Sequence, residues 1–411
     1  MFTIRHDLPK PLLEALQSRR SAVETYNKIR GDIIHQCRLN FDDPTSRADF
    51  IETRCRTVYV DRLAECYPPE DHWVADTPEI AKLWRDHCRN SKLHDKREGR
   101  FPIFTVDQAK LIIAEADESI LFRDAKTKEL IGGVIRECCS FPGLVHGASQ
   151  VAADACKHRK SVRKDDPGVL ALVGFTAGSR SACRFDWAKN LLKPREDSAF
   201  KNDLRFREAS ICAFAWNMAR GMLPNEVIES YDSFLHGTFI PRMNSSSDFF
   251  SKMGMYSVED IRGPGGNVNY RNVYKFDAVE LAPPSAVFSM NYSRRVHREG
   301  SPHQYVASWT INRPVADLGG NFFIPAFGIM IKSASNSLVF WKPKLLHCTS
   351  LRSFGTQEQL DNIYELGLTF ATSPRLPSAW EKYVAANYSD EAAQELADEI
   401  RNAGHESDAE D

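Results

Sequence analysis

The sequence predicts an α+β protein whose core is an antiparallel sandwich or a jelly-roll barrel. Three observations predict this class: helix formers dominate the first hundred residues, short strand-like segments crowd residues 286–372, and a helical pattern returns after Pro374. Seven short strand-like segments with turn residues between them, and no helical pattern among them, are typical of such a β core.

Composition and charge limit the function classes. The 411 residues include 53 basic and 55 acidic side chains, a formal net charge of −2, so a nucleic-acid-binding surface would have to be local. The sequence shows neither a secretory signal nor a run of about eighteen apolar residues, and its ten cysteines form no CxxC pair. We therefore expect an intracellular protein, nuclear or cytoplasmic, with reduced thiols and no membrane contact.

The elements outside the β core follow from local patterns. Residues 1–100 predict a helical N-terminal region, with helices to about Ser91 and a charged connector after it. The segment 119–138, "SILFRDAKTKELIGGVIREC", predicts a β-hairpin, because two apolar alternations flank a polar turn. Amphipathic patterns predict helices over residues 198–237, and residues 376–411 predict a helical tail that ends in an acidic stretch.

Two local features allow competing interpretations. The basic run from Lys157 to Lys164 fits a loop or a solvated helix end, and alternatively a phosphate-contacting patch. The segment 290–298, "MNYSRRVHR", is a second basic cluster. The glycine-rich "GPGGN" at 263–267 predicts a flexible loop, since it lacks the Lys-Ser/Thr of a phosphate-binding loop.

The segment "HRE" predicts part of a metal site. His297 and Glu299 are two residues apart in a strand-like stretch, so their side chains point to the same face. His347 lies fifty residues on in another strand-like stretch, and two imidazoles with one carboxylate form the facial triad of non-haem ferrous iron. The alternatives are an exposed turn for the HxE triplet and a hydrogen-bonded core histidine for His347, with His303 as a competing ligand.

The segment 287–351 resembles a known enzyme family. Its motifs are similar to those of the fungal branch of the TET/JBP-like 2-oxoglutarate- and Fe(II)-dependent dioxygenases, with weaker similarity extending over residues 101–372. The matching positions, in order, are Asn291, His297, Glu299, Gly319, Gly320, Pro325, Gly328, Val339, Phe340, Trp341 and His347.

This resemblance implies a fold, a chemistry and a substrate class. It implies a dioxygenase domain at 101–375 with a double-stranded β-helix (jelly-roll) core at 286–372, between the N-terminal region 1–100 and the tail 376–411. His297, Glu299 and His347 would be the catalytic residues and the ligands of Fe(II). With 2-oxoglutarate as cosubstrate and dioxygen, the enzyme would hydroxylate a C–H bond, and DNA or RNA carrying a methylated base is the implied target.

The chain departs from the family pattern at two positions. Glu299 stands where the family usually has Asp, and its extra methylene adds a torsion to the carboxylate. The last strand, 360–372, carries no basic residue to pair with the distal carboxylate of 2-oxoglutarate, so the nearest candidate is Arg352. Asn291 is the second predicted cosubstrate-binding residue. Other candidate cations are Lys342, Lys344, Arg294 and Arg295.

The departures leave two alternative functions. One is a dioxygenase that acts on a protein side chain or a small molecule. The other is a catalytically degenerate oxygenase fold that serves in binding.

Overall fold

The computed structural model describes residues 10–39, 43–90, 102–179, 183–193, 197–245, 253–262, 270–314, 318–353, 362 and 365–387. The "GPGGN" segment, the charged connector after residue 91 and the acidic stretch after residue 387 lie outside these ranges. Among the helices in these ranges, none combines the length and the apolar character needed to cross a bilayer.

The described ranges form a mixed α+β structure. The helices are α1 (Lys10–Gln36), α2 (Pro44–Arg54), α3 (Pro78–Asn90), α4 (Pro142–His158), α5 (Ser198–Met222), α6 (Asn225–Thr238) and α7 (Leu376–Asn387). The strands up to residue 280 are β1 (Arg56–Val60), β2 (Trp73–Ala75), β3 (Ile103–Thr105), β4 (Ile112–Ala114), β5 (Ile120–Asp124), β6 (Leu130–Ile135), β7 (Val169–Gly178), β8 (Cys183–Trp187), β9 (Met253–Arg262) and β10 (Tyr270–Glu280). The later strands are β11 (Ser285–Met290), β12 (Arg294–His297), β13 (Val306–Asn312), β14 (Phe322–Ile324), β15 (Ile329–Ile331), β16 (Ser337–Trp341), β17 (His347–Thr349) and β18 (Leu366–Phe370).

Two large sheets organise these strands. The nine-stranded sheet has the order β1-β5-β6-β16-β13-β18-β11-β7-β8, and the five-stranded sheet has the order β12-β17-β14-β15-β4. Most pairings in both sheets are antiparallel, with parallel exceptions at β1–β5 and β15–β4. The crowding of strands over residues 286–372 is confirmed, and those strands divide between the two sheets.

The predicted β-hairpin is confirmed, and the predicted helices before Ser91 are present but alternate with two short strands. β5 and β6 pair antiparallel through the predicted turn. The first 91 residues contain α1, α2 and α3, but β1 and β2 interrupt them. β1 is the β-branched and aromatic run "RTVYV", which pairs with β5. A short strand of this kind is stabilised by pairing with the edge of a sheet. A search for helical periodicity in the sequence does not reveal such a pairing.

The nine-stranded sheet separates a helical layer from the five-stranded sheet. In β13, Ala307, Trp309 and Ile311 join the large apolar core with α4, α5 and α6. Apolar residues on the opposite face, including Val306 of β13 and Trp341 of β16, pack with β14 and β15 of the smaller sheet. Strand alternation therefore gives the large sheet one face against helices and one face against the smaller sheet.

The predicted division at residues 100, 375 and 376 stays a prediction. Strands from both sides of the first boundary share a sheet, because β1 pairs with β5.

Candidate metal centre

His297, Glu299 and His347 come together where two strands of the five-stranded sheet meet. His297 ends β12 and His347 begins β17, and the two residues lie opposite each other in this antiparallel pair. Glu299 follows two residues after His297, and its backbone N–H donates to the Pro343 carbonyl at 3.0 Å. The register of β12 against β17 thus brings together two histidines that are fifty residues apart in the sequence.

The three side chains have the spacing of a metal site. One ligand atom from each residue lies within 4.8 Å of the others. The imidazole centroids of His297 and His347 are 4.4 Å apart, and His297 Nε2 lies 3.4 Å from Glu299 Oε1. Ligands at such distances can converge on a single ion at ordinary metal–ligand bond lengths after small side-chain rotations.

Backbone carbonyls orient both imidazoles. His297 Nδ1 lies 2.8 Å from the Arg295 carbonyl, and His347 Nδ1 lies 2.9 Å from the Leu345 carbonyl. An Nδ1–H that donates to a carbonyl leaves the Nε2 lone pair for a metal. Nε2 of His297 is buried and has no hydrogen-bond partner among the described residues, which fits an atom that ligates an ion.

The protonation states also suit a cation. Burial, followed by the proximity of His297, lowers the pKa of His347 to about 3. Burial alone would raise the pKa of Glu299, but the nearby His297, followed by His347 and Arg294, lowers it to about 2. A neutral imidazole and an ionised carboxylate are the forms that bind metal without first releasing a proton.

A cavity of about 530 Å³ adjoins the three side chains. Its wall is the cavity-facing side of the nine-stranded sheet, because alternate residues of β7, β11, β13, β16 and β18 point into it. These residues are Leu170, Leu172, Val287, Ser289, Val306, Ser308, Thr310, Val339, Trp341, Gly367 and Thr369. The Trp341 and Phe322 rings lie 5.6 and 6.1 Å from the His347 ring. Sequence reasoning missed the hydroxyl residues, although their two-residue spacing is visible in "SWT".

Arg352, the predicted partner of the cosubstrate carboxylate, is fully buried behind the cavity wall. Its Nη2 donates to Glu365 Oε1 at 2.8 Å and to the Tyr292 carbonyl at 3.2 Å. Gly320 covers it with a φ of +68°, and a Cβ at Gly320 would lie 2.4 Å from Arg352 Nη1. In this arrangement an internal carboxylate already pairs with Arg352, and its cosubstrate role stays a prediction.

Glu365 lines the cavity and binds a second buried arginine. Arg313 Nη1 donates to Glu365 Oε2 at 2.6 Å, and Ser333 Oγ donates to the same oxygen at 2.8 Å. Burial would raise the pKa of Glu365, but the charges and hydrogen bonds of Arg352 and Arg313 lower it to about 2. A carboxylate held between two guanidinium groups therefore forms part of the cavity lining.

Asn291 lies in a turn and does not line the cavity. Its φ is +51°, a region where asparagine is tolerated better than most residues. Its Nδ2 donates to the Asn362 carbonyl at 2.6 Å, and its Oδ1 accepts from the Glu365 N–H at 2.9 Å. Asn291 thus fixes the chain entering β18, and its predicted cosubstrate role stays a prediction.

The other predicted candidates lie in different environments. His303 Nε2 lies 2.9 Å from Thr372 Oγ1 and its ring stacks on Tyr231, so it is not part of the three-residue cluster. Lys342 pairs with Glu129 at 2.9 Å. Arg295 pairs with Asp71, and Lys344 is exposed.

Arg294 lines the cavity, where its Nη1 donates to Asp166 Oδ2 at 2.7 Å. It lies close enough to the cluster to influence the pKa values of both Glu299 and His347.

Comparisons with known proteins found matches among solved structures. No family model and no curated protein matches the chain. A solved structure of NgTET1 in complex with 5mC DNA is similar at a TM-score of 0.38 and 10% identity, covering 65% of this chain and 84% of that chain. The structure of OsALKBH1 is similar at a TM-score of 0.25 and 10% identity, covering 56% and 90%. At these scores the two similarities carry no functional argument.

Proposed function

We propose that this chain is an Fe(II)- and 2-oxoglutarate-dependent dioxygenase that hydroxylates a C–H bond of a methylated nucleic-acid base. The observation that supports this best is the convergence of His297, Glu299 and His347 within 4.8 Å beside a cavity. The sequence resemblance to the fungal TET/JBP-like branch supports the same chemistry. In this proposal the two facing sheets are the double-stranded β-helix core.

The three clustered side chains would hold the ferrous ion. When bound, ferrous iron with 2-oxoglutarate and dioxygen supplies the oxidising power for hydroxylation. His297 and His347 present Nε2 because their Nδ1 atoms face backbone carbonyls. The Trp341 and Phe322 rings beside His347 would exclude water from a bound ion and so limit side reactions there.

We assign a cosubstrate carboxylate to Arg294 rather than to Arg352. Arg294 lines the cavity and acts electrostatically on the cluster, whereas the Arg352 guanidinium is buried behind Glu365. A guanidinium–carboxylate pair is a strong, directional interaction in such a site.

Local positive charge supports nucleic acid as the target. The basic segments 157–164 and 290–298 contribute the exposed arginines Arg163 and Arg298 to the cavity lining. A base inside a duplex would have to leave the stack to reach the cluster. This cost is smaller in single strands, so we expect single-stranded substrate to react faster.

Iron-dependent succinate release tests the proposal. The purified protein should bind one ferrous ion under anaerobic conditions and, with oxygen, release succinate from 2-oxoglutarate faster when a methylated oligonucleotide is present. His347→Ala should abolish both properties, whereas His303→Asn, a buried histidine outside the cluster, should retain iron binding. Equal succinate release by wild type and His347→Ala would refute the assignment.

The engagement of Arg352 by Glu365 favours one alternative, a degenerate oxygenase fold that binds without turnover. That alternative predicts iron binding by the wild type with no succinate release under any condition. A dioxygenase for proteins or small molecules predicts succinate release that no oligonucleotide stimulates.

A further inference from the structure

Two basic segments that are far apart in the sequence meet at the opening of the cavity. Arg163 comes from the turn after α4, and Arg298 follows β12, yet both line the cavity beside Glu299. Their side chains are 47% and 54% exposed, so both guanidinium groups reach solvent.

The ion pairs of these two arginines are weak. Arg163 Nη2 lies 3.4 Å from Glu299 Oε1, and Arg298 Nε lies 3.6 Å from Glu70 Oε1, with both carboxylates partly exposed. Arg294 differs, because it pairs with Asp166 at 2.7 Å and both side chains are about 85% covered. Long, exposed ion pairs contribute little stability and exchange partners easily.

Glu299 therefore belongs to two sites at once. The carboxylate oxygen that approaches Arg163 is also the oxygen that lies 3.4 Å from His297 Nε2. A metal held by His297, Glu299 and His347 would draw this carboxylate away from Arg163. The guanidinium would then face the cavity opening without its carboxylate.

We propose that Arg163 is a substrate-contacting residue that Glu299 holds until metal binds, after which Arg163 binds a phosphodiester group of nucleic acid beside Arg298. The inference rests on the proposed metal site and on nucleic acid as partner, but not on oxidation. A phosphate fits this position because a guanidinium fork donates two parallel hydrogen bonds to it. By linkage, metal and oligonucleotide each tighten the binding of the other by the same factor.

Oligonucleotide affinity with and without Mn(II), a redox-stable stand-in for Fe(II), tests the inference. Fluorescence anisotropy with a short duplex should show that Mn(II) tightens binding to the wild type about two- to fivefold more than to Arg163→Gln, which is the size of an exposed ion pair. Magnesium at equal concentration corrects for metal bound by the DNA itself. The slope of log K against log salt for the metal-loaded protein should fall by about 0.9 in Arg163→Gln, the value for one phosphate contact.

Two variants provide matched controls. Arg298→Gln should weaken oligonucleotide binding and reduce the salt slope. The tightening of binding on adding Mn(II) should remain, because the Arg298 guanidinium pairs with Glu70 rather than with Glu299. Glu299→Gln should bind the duplex about two- to fivefold more tightly than wild type without metal, since Arg163 is no longer held.

Several results would overturn the inference. One is an equal Mn(II)-dependent increase in oligonucleotide affinity in wild type and Arg163→Gln. Another is that metal-free Glu299→Gln binds the duplex no more tightly than wild type. A third is that an acidic peptide of matched charge binds as tightly as the oligonucleotide. Its failure is distinguishable from failure of the proposed function: succinate release without coupling rejects only the role of Arg163. Coupling without succinate release rejects only the dioxygenase activity.

Discussion

Replacing Glu365 by glutamine removes the carboxylate between two buried arginines while preserving side-chain shape. Glu365 accepts hydrogen bonds from Arg313, Arg352 and Ser333, and the Arg313 and Arg352 side chains are almost completely buried. Glutamine keeps one acceptor oxygen but leaves both positive charges without their counter-ion. The substitution should therefore destabilise the fold strongly at neutral pH.

Two arguments give similar magnitudes for this loss. Removing one partner of a buried ion pair costs about 3–5 kcal/mol, because the remaining charge is uncompensated. Independently, the pKa of Glu365 is about 2 in the folded protein against an ordinary value of 4.5. At about 1.4 kcal/mol for each tenfold change in proton affinity, this difference corresponds to roughly 3 kcal/mol of folding stability.

The pH dependence has a definite sign. A lowered carboxyl pKa stabilises the folded state fully above the unfolded value of 4.5, and this stability is lost as pH falls toward 2. At pH 3 about 2 kcal/mol should already be lost by the wild type. The stability difference between wild type and Glu365→Gln should therefore shrink from about 3–4 kcal/mol at pH 7 to about 1–2 kcal/mol at pH 3.

Urea unfolding at pH 7 and pH 3 measures both quantities. Glu24→Gln is the matched control, because Glu24 forms an exposed pair with Arg20 at 2.9 Å and should change stability by less than about 1 kcal/mol. A difference below about 1 kcal/mol for Glu365→Gln at pH 7 would refute the reasoning, as would a difference that does not shrink on acidification.

Three further predictions concern the site and its surroundings. Gly320→Ala should lower the free energy of unfolding by more than about 1 kcal/mol, because its φ is +68° and the new Cβ would clash with Arg352. The control is Gly237→Ala, which should not lower the free energy of unfolding because the space around the new Cβ is open. Burial lowers the pKa of His303 to about 3. When the pH falls from 7 to 5, the unfolded chain binds a proton at this histidine but the folded protein does not, so the free energy of unfolding of the wild type should decrease by about 2 kcal/mol. His303→Gln should show a correspondingly flatter stability profile by urea unfolding, and an unchanged profile would contradict this. Arg294→Ala should raise the KM for 2-oxoglutarate at least tenfold in steady-state succinate assays with little change in iron affinity, and an unchanged KM would exclude it as the anchor.

Local sequence patterns predicted the three side chains that the fold brings together as a candidate metal centre. The two-residue spacing of His297 and Glu299 put both side chains on one face, and the strand-rich region around His347 identified a neighbour for them. The β5–β6 hairpin was equally predictable, because its turn and both apolar alternations are contiguous. Such features depend on residues close together in the chain.

The partners of the charged residues were decided by the tertiary structure. That Arg352 pairs with Glu365, and Arg163 with Glu299, follows from how sheets and loops fold together across 13 and 136 residues of chain. A charged side chain carries no local signal of its partner, because Coulomb attraction acts through space between any opposite charges that the fold brings near. The strand β1 was missed for a similar reason, since its partner β5 begins 64 residues later.

The sequence by itself determined which residues could ligate a metal, because ligand chemistry and strand periodicity are written residue by residue. Only the tertiary structure decided that β12 and β17 pair in the register that sets His297 opposite His347. It also decided that a carboxylate, rather than open space, faces the buried arginines. Register and counter-ions are properties of long-range packing, which one-dimensional periodicity does not encode.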